Sequence, residues 1–84
     1  MTEHELKVWI EYFNPLLSGD KTFEVRKDDR DFAVGDSLYL REYDSEKKKF
    51  TGRKIFKTVT YIMRGPAFGI AEGYCVMGLK DYEP

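Results

Sequence analysis

Five stretches of strand-type sequence, each cut off by glycine, proline or a charged turn, crowd into 84 residues. That spacing leaves few architectures open, because closely spaced short strands with turn signals between them belong to small barrels or curled sheets. In residues 5–9, Glu5, Lys7 and Trp9 alternate with Leu6 and Val8, the period of two of a strand with one buried face. Residues 22–27 follow the same rule, and in residues 37–43 Leu38 and Leu40 oppose Tyr39, Arg41 and Tyr43. Residues 53–63 are rich in β-branched and aromatic side chains and predict a long strand, with 44–52 as its hairpin connection. Residues 74–79 predict a closing strand, with Cys75, Met77 and Leu79 inward.

A helix interrupts the pattern once. Ile10, Phe13, Leu16 and Leu17 stand at helical spacing, and Gly19 is placed to end the helix in the left-handed conformation. Pro15 lacks an N–H and is expected within about the first turn. The Gly35-Asp36 pair signals a tight turn, while Gly65, Pro66, Gly69 and Gly73 make 64–73 a loop with one helical turn near 68–71. The tail, 81–84, is expected to fray. The expected fold is therefore mainly β with one or two short helices, an α+β barrel forming a single domain over residues 1–84. Closure would remove the exposed edges that so small a sheet cannot otherwise protect.

Composition excludes several functions. Hydrophobic residues make up 42% and aromatic residues 15%, which argues for a folded chain rather than a disordered one. The single cysteine, Cys75, cannot form an intramolecular disulfide, and no N-terminal run reads as a signal peptide or membrane span. A cytoplasmic location is expected, with no membrane partner. One histidine and one cysteine far apart match no metal spacing, so neither metal nor cofactor is expected. The net charge of −1 lacks the basic excess of a typical nucleic-acid binder. Basic residues nevertheless cluster locally, in 21–30 and again in 41–57.

The stretch from Ser18 to Lys27 carries the candidate site. On a strand, Thr22, Glu24 and Arg26 share one face, and Phe23 and Val25 the other. The apolar pair is expected to face the core and fix the register. With Lys21 at the helix exit, Glu24 and Arg26 form a compact charged cluster. Spacing alone favours an exposed ion pair worth ~0.5 kcal/mol over a site.

The residues Gly19, Lys21, Glu24 and Arg26 match all four defining positions of the GxKxxExR signature, and on them the chain resembles the ASCH family, itself similar to PUA domains. Its wording at Lys21 to Lys27, Asp29 to Phe32, Val34-Gly35-Asp36, Leu40 to Tyr43 and 74–79 looks like the short bacterial and phage DUF3850 branch. The resemblance covers nearly the whole chain. It implies a small PUA-like β-barrel whose cleft is lined by the signature residues and binds RNA or a nucleotide-like ligand. In that reading Lys21 and Arg26 meet phosphate, Arg26 as a bidentate fork, Glu24 accepts from a base or ribose hydroxyl, and Arg30, Arg41 and Tyr43 contribute.

Two other classes remain open. Some compact ASCH proteins look like amidohydrolases of acylated nucleosides, which would put catalysis on Lys21, Thr22 and Glu72, although Glu24 stands where those enzymes carry threonine. A protein-interaction accessory domain is the third reading. Elsewhere, the face of Tyr39, Arg41 and Tyr43, with Lys54 or Lys57 nearby, interleaves aromatic and basic residues as base-stacking surfaces do. Trp9 reads as a core or cleft-wall residue, Lys47 to Lys49 as a solvated tip, and His4 as exposed.

Overall fold

Every expected strand forms in the computed structural model, which describes residues 1–83. In chain order the elements are β1 (Glu3–Trp9), α1 (Ile10–Ser18), β2 (Phe23–Lys27), β3 (Ser37–Asp44), β4 (Lys49–Arg64) and β5 (Tyr74–Asp81). They build one sheet in the order β1-β3-β4-β5-β2. β1 runs parallel to β3, and the other neighbours are antiparallel. β4 is long enough to pair with β3 along its first part and β5 along its second. Irregularities at Arg41/Tyr43 and Val59/Tyr61 interrupt the two ladders, and such bulges raise the local twist.

The sheet curls so that its two edges face each other across a gap. β1 and β2 are the outermost strands, yet Arg26 Nη2 donates to the Lys7 carbonyl at 2.7 Å and Arg30 Nη1 to the Glu5 carbonyl at 2.8 Å. The expected barrel closure is thus not reached: the curl stays open as a half-barrel, no backbone ladder joins β1 to β2, and arginine side chains span the seam between them. Inside the curl lie Leu6 and Val8 of β1, Leu38 and Leu40 of β3, Val59 of β4, and Cys75, Met77 and Leu79 of β5.

Helix α1 contributes Phe13 and Leu16, both fully buried. Gly19 ends it with φ 90°, a conformation that costs glycine little. Pro15 lies deeper than a first-turn position: it is the sixth of nine helical residues. The missing N–H takes a helical partner from the Glu11 carbonyl, four residues back, while at the helix end the Pro15 carbonyl accepts from Ser18 Oγ and the Lys21 N–H.

Two further expectations are corrected. Residues 67–70 form a tight hairpin turn and no helical turn: Ala67 and Ile70 exchange backbone bonds, and Phe68 and Gly69 have φ 47° and 82°. Paired positive φ values are those of a two-residue β-hairpin turn. At the C-terminus Asp81 still belongs to β5 and accepts from buried Lys57 at 2.7 Å, and the Tyr82 ring lies 5.6 Å from that of Phe56. Order therefore extends further into the tail than expected, and Pro84 lies outside the described residues.

His4 is buried, against the expectation that it is exposed. Its Nε2 donates to Asp36 Oδ2 at 2.8 Å, and Asp36 also accepts the N–H groups of Thr2 and Ala33. Burial pushes the Asp36 carboxyl up, but these donors outweigh it and hold the group below its ordinary value. At the other end of β3, buried Glu42 accepts from Arg53 and Thr51, while Arg53 reaches on to Asn14 of the helix. The Arg53 hydrogen bond holds Glu42 low against burial.

Carboxyls depressed in the folded state bind protons more tightly when unfolded. Their stabilisation is complete above about pH 4.5 and is lost as pH falls through their lowered folded values. The urea midpoint is expected to hold between pH 7 and 5 and to drop below pH 4, with a shallower drop in Asp36→Asn. An acid limb of equal steepness in that variant would exclude Asp36 as a contributor.

Candidate functional site

β2 is folded with the opposite face inward from the one expected. Glu24, paired with Met77, and Arg26, paired with Cys75, face the interior of the curl. Phe23 and Val25 are 45% and 54% exposed. Alternation fixes which residues share a face, not which face is buried, and at this edge strand the charged face is the one turned inward. A buried carboxylate is tolerated when its oxygens are partnered. Glu24 has both: Lys21 Nζ donates to Oε1 and Arg26 Nε to Oε2, each at 2.9 Å.

Beside this triad the seam widens into a cavity of about 690 Å³. Its walls come from Lys7, Val8 and Trp9 on β1, Tyr12 on α1, and Lys21, Phe23, Glu24, Val25 and Arg26 on and before β2. The helix stop at Gly19 turns the chain so that Lys21 enters this space, where Nζ lies 5.0 Å from the Tyr12 ring centroid and 5.4 Å from that of Phe23. The walls are mostly apolar and aromatic, with an ionic cluster on one side. That is the usual make-up of a small-molecule site.

Hydrogen-bond accounting defines what the cluster offers. Glu24 has spent a lone pair on each oxygen, and Arg26 has committed Nε to Glu24 and Nη2 to Lys7. Arg26 can therefore offer a phosphate only the part of its fork that Glu24 and the Lys7 carbonyl leave unspent. Lys21 keeps two N–H donors and Arg26 keeps three, two on Nη1 and one on Nη2. The three charges sum to one positive charge, so the cleft presents donors to an acceptor-rich group.

The other candidates are dispersed. Arg30 lies on the seam, bonded to Glu5. Arg41 lies on the outer side of β3, 3.2 Å from Glu5 Oε2 and 3.8 Å from the Phe50 ring centroid. Tyr43 packs edge-on against Phe50, with Lys7 Nζ 4.1 Å from its ring centroid. Exposed Thr22 precedes β2, with its carbonyl accepting from Leu79, and Glu72 is exposed in the loop after β4. Neither lines the cleft.

Several wall residues escape sequence reasoning, among them Phe23 and Val25, expected in the core, and Lys7 and Tyr12. Tyr12 falls off the apolar stripe of α1, and Lys7 reads as an ordinary outward charge. Trp9 is a cleft-wall residue, as one of its two readings held. Lys57 faces inward beside Asp81, leaving Lys54 as the lysine opposite Arg41. Cys75 is buried, and burial, aided by Asp28, pushes its thiol up, away from the reactive thiolate form. Among the described residues no three His, Cys, Asp or Glu side chains form a metal-binding group, and no helix is long and apolar enough to cross a membrane.

A curated protein of Escherichia phage P2, titled "Uncharacterized 12.9 kDa protein in GpA 3'region", is 42% identical over 57 residues, or 68% of this chain. The chain spans about half the length of that relative: the match covers 50% of it. The model of the family described as "Domain of unknown function (DUF3850)" matches residues 3–79, and with a curled sheet and a cleft formed across that same span, the chain belongs to this family.

Proposed function

We propose that the chain is an ASCH-type, PUA-like module that binds RNA or a nucleotide in the seam cleft. The observation that carries the reading is the pairing of aromatic walls, Trp9, Tyr12 and Phe23, with the donor-rich Lys21–Glu24–Arg26 cluster in one cavity of about 690 Å³. A nucleobase has a flat face for the rings and carbonyl or ring-nitrogen acceptors for the donors. Stacking on an aromatic side chain contributes about 1–3 kcal/mol per base, and Lys21 supplies a charged donor to a base oxygen or a phosphate. Arg26 acts chiefly through the cluster, holding Glu24 and the seam in place.

Trp9 is the only tryptophan and lines the cleft, so its fluorescence reports occupancy directly. Titration with CMP, UMP and AMP at low salt is expected to change the emission. Lys21→Ala should weaken binding about tenfold, the equivalent of one charge-assisted hydrogen bond. An emission unchanged up to millimolar nucleotide, together with no anisotropy change for a labelled short RNA, would overturn the proposal. So would hydrolysis of N4-acetylcytidine that disappears in Lys21→Ala, because that result identifies an enzyme.

A further inference from the structure

The strand registers align three rows of side chains across the outer face of β1, β3 and β4. Trp9 stands opposite Tyr43, which stands opposite Phe50; Lys7 stands opposite Arg41, which stands opposite Lys54. In the third row Glu5 is opposite Tyr39, whose ring stacks on Phe56 with centroids 4.8 Å apart and planes at 7°. Aromatic rows thus flank a row of three cations, and the acids on the β1 part of the face are Glu5, ion-paired to Arg41 at 3.2 Å, and Glu3 beyond it. Helix α1 sends Phe13 and Leu16 into the core and leaves this face open: Trp9, Phe50, Lys54 and Phe56 are exposed, and Tyr39, Arg41 and Tyr43 are half-buried.

We infer that this face binds single-stranded nucleic acid, taking the nucleotides that flank the one held in the cleft. The inference rests on the cleft reading and extends it to a ligand class: an unpaired strand of several nucleotides. Continuity is built into β1, since Lys7 and Trp9 both line the cleft and belong to the outer rows. A strand leaving the cleft over Trp9 meets Tyr43 and Phe50 next, with Arg41 and Lys54 alongside for its phosphates. Two rows two residues apart are about 6.7 Å apart along the strands, and open sheet faces of this make-up stack two or three bases. Charge complementarity favours a polyanion over a protein surface. Beyond the face, Lys47, Lys48 and Lys49 stand exposed at the β3–β4 tip.

Fluorescein-labelled oligouridylates of two, four and eight nucleotides test the inference by anisotropy, beside UMP followed through Trp9. Affinity is expected to rise at least tenfold from dimer to octamer. Lys54 makes no ion pair or side-chain hydrogen bond among the described residues, so Lys54→Ala leaves the fold intact. It should weaken octamer binding about threefold and lower the salt slope by about 0.7, the effect of one lost phosphate contact on a single strand. Tyr39→Leu combined with Tyr43→Leu should remove most of the length dependence while UMP binding is retained. Equal affinity for dimer and octamer, with UMP binding intact, would overturn the inference and leave the cleft reading standing. Competition by duplex as strong as by single strand, or an octamer salt slope unaltered by Lys54→Ala, would overturn it as well. Failure of UMP and octamer alike would remove both readings.

Discussion

Arg26→Ala is expected to melt about 10–20 °C below the wild type and to lose nucleotide binding with it. One side chain makes two connections, to Glu24 at 2.9 Å and to the Lys7 carbonyl at 2.7 Å. Hydrogen bonds involving charged groups contribute about 1.5–3 kcal/mol each. Partial solvent screening at this rim reduces the pair to about 2–3 kcal/mol in total, and in a domain of this size each kcal/mol shifts the melting temperature by about 4–8 °C. The substitution also leaves buried Glu24 with Lys21 as its sole partner. Arg26→Lys is the informative companion. An ammonium is a point charge and cannot serve Glu24 and the Lys7 carbonyl through a fixed fork, so the lysine variant should recover less than half of the loss. A lysine variant melting with the wild type would show that charge alone matters and that the seam bond contributes nothing.

Phe13→Ala is expected to cost about 3–5 kcal/mol, the usual range for removing a buried phenylalanine ring, and a large share of what holds a small domain together. Phe13 is 1% exposed, and the Arg53 guanidinium lies 4.9 Å from its ring centroid. The ring therefore supports both the core and the Glu42–Arg53–Asn14 link that ties α1 to the sheet. Because α1 also carries Tyr12, nucleotide affinity should fall even at temperatures where the variant remains folded. Urea unfolding at 25 °C measures the first effect and Trp9 emission the second. Phe13→Leu, which keeps most of the volume, should recover more than half of the stability; a Phe13→Ala shift below about 1 kcal/mol would mean that the helix packs mainly through Leu16.

How much of this was legible beforehand differs from element to element. Strand existence was readable because alternation at Leu6/Val8 and Leu38/Leu40 is a local signal, and the helix end was readable because Gly19 needs no partner to adopt φ 90°. The facing of β2 was not. Phe23 and Val25 outweigh Glu24 and Arg26 on any hydrophobicity argument, and the inward turn of Glu24 depends on Lys21 arriving from the helix exit and on Arg26 finding a carbonyl nineteen residues away. His4 was misread for a similar reason: its partner Asp36 is thirty-two residues distant. The charged cluster itself was visible from its residues. Apart from Trp9, its walls were not, because Lys7, Tyr12 and Phe23 come together only when the curl brings β1 and β2, the first and last strands in the sheet order, to face each other.

That rolled edge has a mechanical consequence. Across β1–β3, β3–β4, β4–β5 and β5–β2 the sheet is held by cooperative ladders, in which parting one bond strains the next. Across the seam it is fastened at Arg26 and Arg30 by two side chains, each able to let go by changing rotamer. The molecule thus resembles a sleeve stitched on four lines and buttoned on the fifth. Its cleft sits beside the buttons, so the wall next to a ligand rests on side-chain bonds and not on a backbone ladder.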